Sequence, residues 1–230
     1  MQERRRRESH TPKTPSGNMV KVPTRYWEEL AQRDAEKLCE KALAKNYPPR
    51  GVLLPFLNEY LLVDTQIRCL CRQSRDDWEP IDHPLLELLC LLYLLNVGPE
   101  LLGQEMVSVQ ELKTAHFFKG PLELKIWPLL ERYGSDLDGF KRAAEDLEGE
   151  TLDLADAAYK FLAFPKVPLY YLFWMGDQEF EPRLSVLFDR SIEHHLAADA
   201  IWGLVNLVSD FLLAGDKWSL SSEDIETNAI

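Results

Sequence analysis

The clearest hydrophobic pattern in the chain lies between Ala157 and Asp189. Within it, Val167 to Met175 (VPLYYLFWM) is rich in aromatic and β-branched residues and is bounded by Pro165 and by Gly176-Asp177, the punctuation expected of a strand. Leu169, Tyr171, Phe173 and Met175 fall on one face of that strand, and Tyr170, Leu172 and Trp174 on the other. Both faces are apolar, which predicts an interior strand with a layer of chain above and below. Tyr159 to Phe164 and Leu184 to Phe188 are shorter runs of the same type. Pro165 cannot donate a ladder hydrogen bond, so Pro165-Lys166 reads as a turn, and the three runs predict an antiparallel meander.

Helical spacing appears on either side. Trp27, Leu30, Ala31, Leu38 and Leu43 predict one helix over Arg25 to Ala44, stopped by Tyr47-Pro48-Pro49-Arg50-Gly51. A second β region follows over Val52 to Cys71, with a hairpin of Tyr60 to Val63 and Ile67 to Cys71 about Asp64-Thr65. Arg72 to Glu79 is polar and reads as a loop. Asp82-His83-Pro84 opens LLELLCLLYLL, a helix apolar nearly all round and therefore buried, with Asp82 as its cap and an end at Asn96 to Pro99. Ser108 and Glu111 have capping-box spacing. Helical segments are expected over Leu122 to Tyr133, Asp136 to Leu147 and Ala197 to Leu213. The fold class is α+β: an antiparallel sheet with the meander at its centre, covered by helices, the Leu85 helix packed against it.

Composition adds bounds. The chain has 230 residues and 46% hydrophobic content, enough for one sizeable core without staples. Residues 1–23 are charged, Ser/Thr/Pro-rich and aperiodic, predicting a disordered basic leader; 24–215 form a single α+β domain; 216–230 form an acidic flexible tail. Of 26 basic and 38 acidic residues, seven and two lie in residues 1–25, leaving 19 and 36, a balance of −17 for the body. A body this acidic, with no basic stripe, argues against nucleic acid as a partner. The most hydrophobic segment, Leu85 to Leu95, is half the length of a membrane span, so no membrane placement is expected. Four cysteines and no apolar segment after the N-terminal arginines favour reduced thiols in a cytoplasm.

No nucleophile elbow, Gly-rich phosphate loop or protease-type cysteine is present, so no catalytic residue is assigned. Three ligand sets are conceivable. Cys69 and Cys71 share a strand face with Cys90 on the neighbouring helix, which would suit a thiolate metal site, though free cysteines usually pack as small hydrophobes. Asp177, Glu179, Asp189 and His194 could supply a carboxylate/imidazole metal site, but the first pair and the second fall at opposite ends of the expected hairpin. Tyr170, Tyr171, Phe173, Trp174, Trp127 and Trp202 could line a flat cofactor pocket with His116 or His194 as an axial ligand; from this set Tyr171, Trp174 and His194 are the cofactor candidates. The plain alternatives are a solvated turn, an acidic helix start and ordinary core.

The run FPKVPLYYLFWMGDQEFEPRLSVLFDRSIEHHL, with DAAYKF before it and LPFLNEYLLVD upstream, resembles an uncharacterised prokaryotic family, domain of unknown function 3786, from about Tyr47 to Leu213. The family is found largely in anaerobes, and in some members a four-cysteine iron–sulfur cluster domain precedes this one. The resemblance implies work beside metal-cofactor or corrinoid enzymes. The stretch before Tyr26 holds no cysteine, so cluster binding is not carried over. The expected function is that of a non-catalytic accessory or binding protein with a metallo-enzyme or corrinoid-protein partner. The alternatives are a metal-dependent enzyme using the carboxylate/His set, or a purely structural interaction module.

Overall fold

The computed structural model describes residues 22–75, 77–215 and 218. Most of the expected leader and tail lie outside the described residues; Trp218 packs against the core, with the Arg72 guanidinium 5.7 Å from its ring.

The first predicted helix is two. α1 (Thr24–Ala31) ends before Asp34, whose carboxylate accepts hydrogen bonds from Glu36 N and Lys37 N, both 3.1 Å, and so caps α2 (Ala35–Ala42). An aspartate at this position satisfies amides that an uninterrupted helix would already have paired. α2 stops at Leu43, which is left-handed at φ 53°, and the chain then enters β1 (Lys45–Tyr47) and β2 (Gly51–Phe56). Gly51 has φ +146°, and a Cβ there would lie 2.1 Å from the Val63 carbonyl, so only glycine serves.

β3 (Glu59–Asp64) follows a tight turn in which Leu57 and Asn58 both have positive φ, the geometry of a two-residue hairpin. The expected hairpin with β4 (Cys69–Ser74) forms, but its turn runs over 65–68 because Asp64 accepts from Gln66 N and Ile67 N and holds it open. The polar stretch read as a loop is largely strand: β4 reaches Ser74 and pairs with β5 (Asp77–Pro80). Its residues border solvent at a sheet edge, where a polar strand carries no hydrophobic alternation to read. These strands form one sheet in the order β1-β2-β3-β4-β5.

The apolar helix is α3 (Pro84–Asn96), capped by His83 Nδ1 accepting from Leu86 N at 3.1 Å and not by Asp82. It packs on α1, α2 and α6 (Ala198–Ala214), and its Tyr93 ring stacks on Phe164 at 4.5 Å. Two short strands that carry no sequence signal, β6 (Met106–Ser108) and β7 (Glu150–Leu152), flank the meander of β8 (Ala157–Phe164), β9 (Val167–Trp174) and β10 (Arg183–Asp189) in the order β6-β10-β9-β8-β7. The central meander and the α+β class are as expected; among the described residues the sheets number two.

Leu169, Tyr171 and Phe173 on β9 face a core drawn from both sheets and from the six α-helices of the described residues, including α4 (Trp127–Tyr133) and α5 (Leu137–Asp146). Burying each is worth roughly 1.5–3 kcal/mol. The other face departs from the expected second layer. There Tyr170 and Leu172 cluster with Ala158, Trp174, Leu187 and the 152–155 segment, so the sheet's own side chains make the second hydrophobic group. No helix among the described residues is long and apolar enough to cross a membrane.

Candidate functional site

The structure separates the residues that the sequence nominates. Asp177 and Glu179 lie in the connection between β9 and β10, while Asp189 ends β10 and His194 ends the 3-10 turn after it. Six residue steps of strand, about 20 Å, intervene. The Asp177 carboxylate accepts Glu179 N and Phe180 N, both at 2.8 Å, and these bonds hold its pKa below the usual range; Glu179 points to solvent. Tyr171 and Trp174 are three residues apart on one strand and so face opposite ways. The Tyr171 hydroxyl lies in the core at 3.1 Å from both Val205 O and Ser209 Oγ, while Trp174 is on the outer face with the Arg183 guanidinium 4.1 Å from its ring. His116 is exposed, Trp127 is 71% exposed, and Trp202 Nε1 donates to Glu123 O. The structure therefore does not bring the aromatic set around one histidine. Among the described residues no group of three or more His, Cys, Asp or Glu side chains is placed to hold a metal ion.

What the fold does assemble lies at the end of the second sheet where the β8–β9 turn, the exit of β10 and the segment after α3 meet. Asp189 is buried, and its carboxylate accepts Gly103 N (2.9 Å), Gln104 N (2.8 Å), Ser191 N (2.9 Å) and Ser191 Oγ (2.5 Å). Burial alone would raise its pKa, but these four donors outweigh it and keep the group ionised. Glu193 fastens Lys113 N, Thr114 N and Thr114 Oγ1 in the same way, and Arg190 grips Glu105 with two nitrogens at 2.6 and 2.9 Å. Asp189, a ligand candidate from the sequence, and Glu193 are thus both engaged in pinning neighbouring backbone.

Lys166 occupies the turn between β8 and β9, 3% exposed, and its ammonium donates to Gly98 O (3.0 Å) and Pro99 O (3.3 Å). Burial lowers its pKa, with Glu100 opposing. His195 is 0% exposed, and neither ring nitrogen has a partner among the described residues. Burial, helped by the Lys166 charge, pushes its pKa down to about 4, so the imidazole is neutral at physiological pH. Its neighbour His194 is exposed, with Nδ1 3.5 Å from Glu100 Oε1. Gly98 passes so close to the His194 carbonyl that a Cβ would sit 2.6 Å from it. Lys166 and His195 carry no sequence signature; a lysine in a two-residue turn between apolar strands is the one hint available.

The chain from Pro99 to Met106 runs over this cluster. It presents Leu101 (72% exposed), Leu102 (37%) and Met106 (41%) to solvent while its backbone is tied from beneath at Gly98, Pro99, Gly103 and Gln104. Glu100, Gln104 and Glu105 are interspersed with the apolar residues along the segment, and Arg190 and His194 lie beside Glu105 and Glu100 respectively.

The cysteines separate too. Leu70 faces the main core together with Cys90, so Cys69 and Cys71 project from the other face of the first sheet, and Cys90 is not their third ligand.

Fold and site together define an α+β domain of two antiparallel sheets joined through helices, with a braced apolar segment over a buried Lys/His cluster. The chain belongs to the family described as Domain of unknown function (DUF3786), which it matches over residues 34–210, from the cap of α2 into the last helix. No curated protein and no solved structure is similar enough to match it.

Proposed function

We propose that this chain is a non-catalytic accessory protein of the cytoplasm that docks on a metallo-enzyme or corrinoid protein through the Pro99–Met106 segment. The observation that carries the reading is the pairing of exposed Leu101, Leu102 and Met106 with a backbone fixed by buried charged groups. An apolar centre with a polar rim on a pre-ordered segment is the anatomy of a binding surface, because little conformational entropy remains to be lost on association. The nature of the partner follows the anaerobic metallo-enzyme setting that the family resemblance implies.

A metal-dependent enzyme using Asp177, Glu179, Asp189 and His194 gains no support from their placement, nor does a cofactor pocket of Tyr171, Trp174 and His194. A structural interaction module would use the same surface with a partner that carries neither metal nor corrinoid.

Affinity capture from the native host under anaerobic conditions, comparing the wild type with Leu101→Asp/Leu102→Asp, tests the reading. Exposed substitutions of this kind change stability by about 0.5 kcal/mol or less, so folding is retained. The wild type should retain a partner containing metal or corrinoid, and the double variant should lose it. A partner held equally by both proteins, or one containing neither group, would count against the proposal.

A further inference from the structure

The first sheet carries a second, unrelated arrangement. Its two edge strands hold Tyr47 and Trp78, whose ring centroids are 6.0 Å apart although a flat five-stranded sheet would separate those edges by about 19 Å. The sheet is therefore strongly curled, and the face bearing Tyr47, Asp64, Cys69, Leu62, Cys71 and Trp78 is concave. On that face the Cys69 and Cys71 sulfurs lie 3.2 Å apart in a hydrogen bond. Cys69 is partly exposed; Cys71 is fully buried yet outside the main core. Asp64, directly across the ladder from Cys69, accepts Arg50 Nε at 2.7 Å and so fixes a guanidinium whose charge acts on Cys71. The hydrogen bond from Cys69 favours the thiolate at Cys71, burial and the Asp64 and Asp77 charges oppose it, and the Arg50 charge offsets part of that opposition. The same hydrogen bond, burial and the Asp64 charge raise the pKa of Cys69, so its thiolate is the minor form of the pair. Residues two apart on a strand have Cα atoms about 6.6 Å from each other, inside the span that a disulfide can bridge.

We propose that Cys69 and Cys71 form a redox-active dithiol that low-molecular-weight disulfides oxidise to a reversible Cys69–Cys71 disulfide. The shared proton first moves to Cys71, leaving the exposed Cys69 sulfur as thiolate. That sulfur attacks one sulfur of the small disulfide; a Cys69 mixed disulfide forms, and one small thiolate leaves. Cys71 then loses its proton, and its thiolate attacks the Cys69 sulfur, closing the protein disulfide and expelling the second small thiolate. Two protein thiols lose two electrons and two protons; one small disulfide becomes two small thiols. Arg50 stabilises the resolving thiolate at Cys71. Closure puckers β4 locally, so the same class of small thiol reverses it. This inference does not depend on the docking role proposed above.

The test treats the reduced full-length chain with oxidised glutathione, quenches in acid, alkylates under denaturing conditions and maps the tryptic peptide Cys69–Arg72. The wild type should lose two of its four alkylatable thiols, both from that peptide, with no glutathione attached and with recovery on adding reduced glutathione. Cys71→Ser should accumulate a stable glutathione adduct on Cys69. Arg50→Gln should slow closure at pH 7 and approach the wild-type rate at pH 9, where the resolving thiol ionises without help, which a purely structural role for Arg50 would not produce. Both cysteines remaining alkylatable in a protein whose circular dichroism is native, or a wild-type adduct that never closes, would show them to be packed hydrophobes and overturn the proposal.

Discussion

A buried imidazole with two unpartnered nitrogens costs stability, since its hydrogen-bonding capacity is left unmet away from water. His195 also sets a pH dependence whose sign is fixed. Its pKa is about 4 in the folded chain against 6.5 for the free side chain. Between those values the unfolded chain binds a proton that the folded chain refuses, so stability is complete above about pH 6.5 and falls as the pH drops toward 4. The loss is on the order of 2 kcal/mol once solvent screening is allowed for. His83, capping α3, is shifted the same way by burial and adds to the loss. Asp189 acts elsewhere: its pKa is depressed, so its contribution holds above the ordinary carboxylate range and disappears in stronger acid. Urea unfolding of His195→Leu at pH 7 and pH 5 should show a smaller difference than the wild type. An equal difference in the two proteins would mean that His195 is protonated without penalty.

At the scale of elements, apolar strand runs bounded by Pro and Gly were legible in the chain, and the meander is the best example. What was not legible is instructive. β6 and β7 are three residues each, too short to show a period; β6 owes its conformation to pairing with β10, far away in sequence, and β7 to pairing with β8 just after it. β5 and the end of β4 are polar because they border solvent, and the split between α1 and α2 depends on exposed Asp34 accepting the first amides of α2. The candidate site was half legible: Asp189 and His194 mark the right end of the sheet, whereas Lys166 and His195 become notable only when burial is known. Asp189 ties the Pro99–Met106 segment to β10 through backbone amides. Asp189→Ala should therefore destabilise the fold by about 3 kcal/mol, the scale for removing charge-assisted bonds from buried donors, and should accelerate hydrogen exchange at Gly103 and Gln104 while leaving β9 amides protected. Uniform loss of protection would show that the aspartate holds the whole sheet and not this segment.

Over the whole molecule, Phe164 links the two halves: its ring stacks on Tyr93 of α3 and lies 5.4 Å from Phe56 of the first sheet. Phe164→Ala should cost about 3–5 kcal/mol. If both sheets share one core, denaturation followed by near-ultraviolet and far-ultraviolet circular dichroism should remain a single coincident transition in this variant; two separated transitions would mean that the sheets unfold independently.

The proposed docking role requires that any metal or corrinoid be carried by the partner and not by this chain. The most direct measurement is elemental analysis with an ultraviolet–visible spectrum on the chain purified anaerobically from its native host, before and after separation from any partner. Metal or chromophore present in the complex should stay with the partner and leave the isolated chain colourless and far below one equivalent. Near one equivalent of metal or chromophore on the isolated chain, lost in Asp189→Ala or His194→Ala, would contradict it and restore those side chains as ligands.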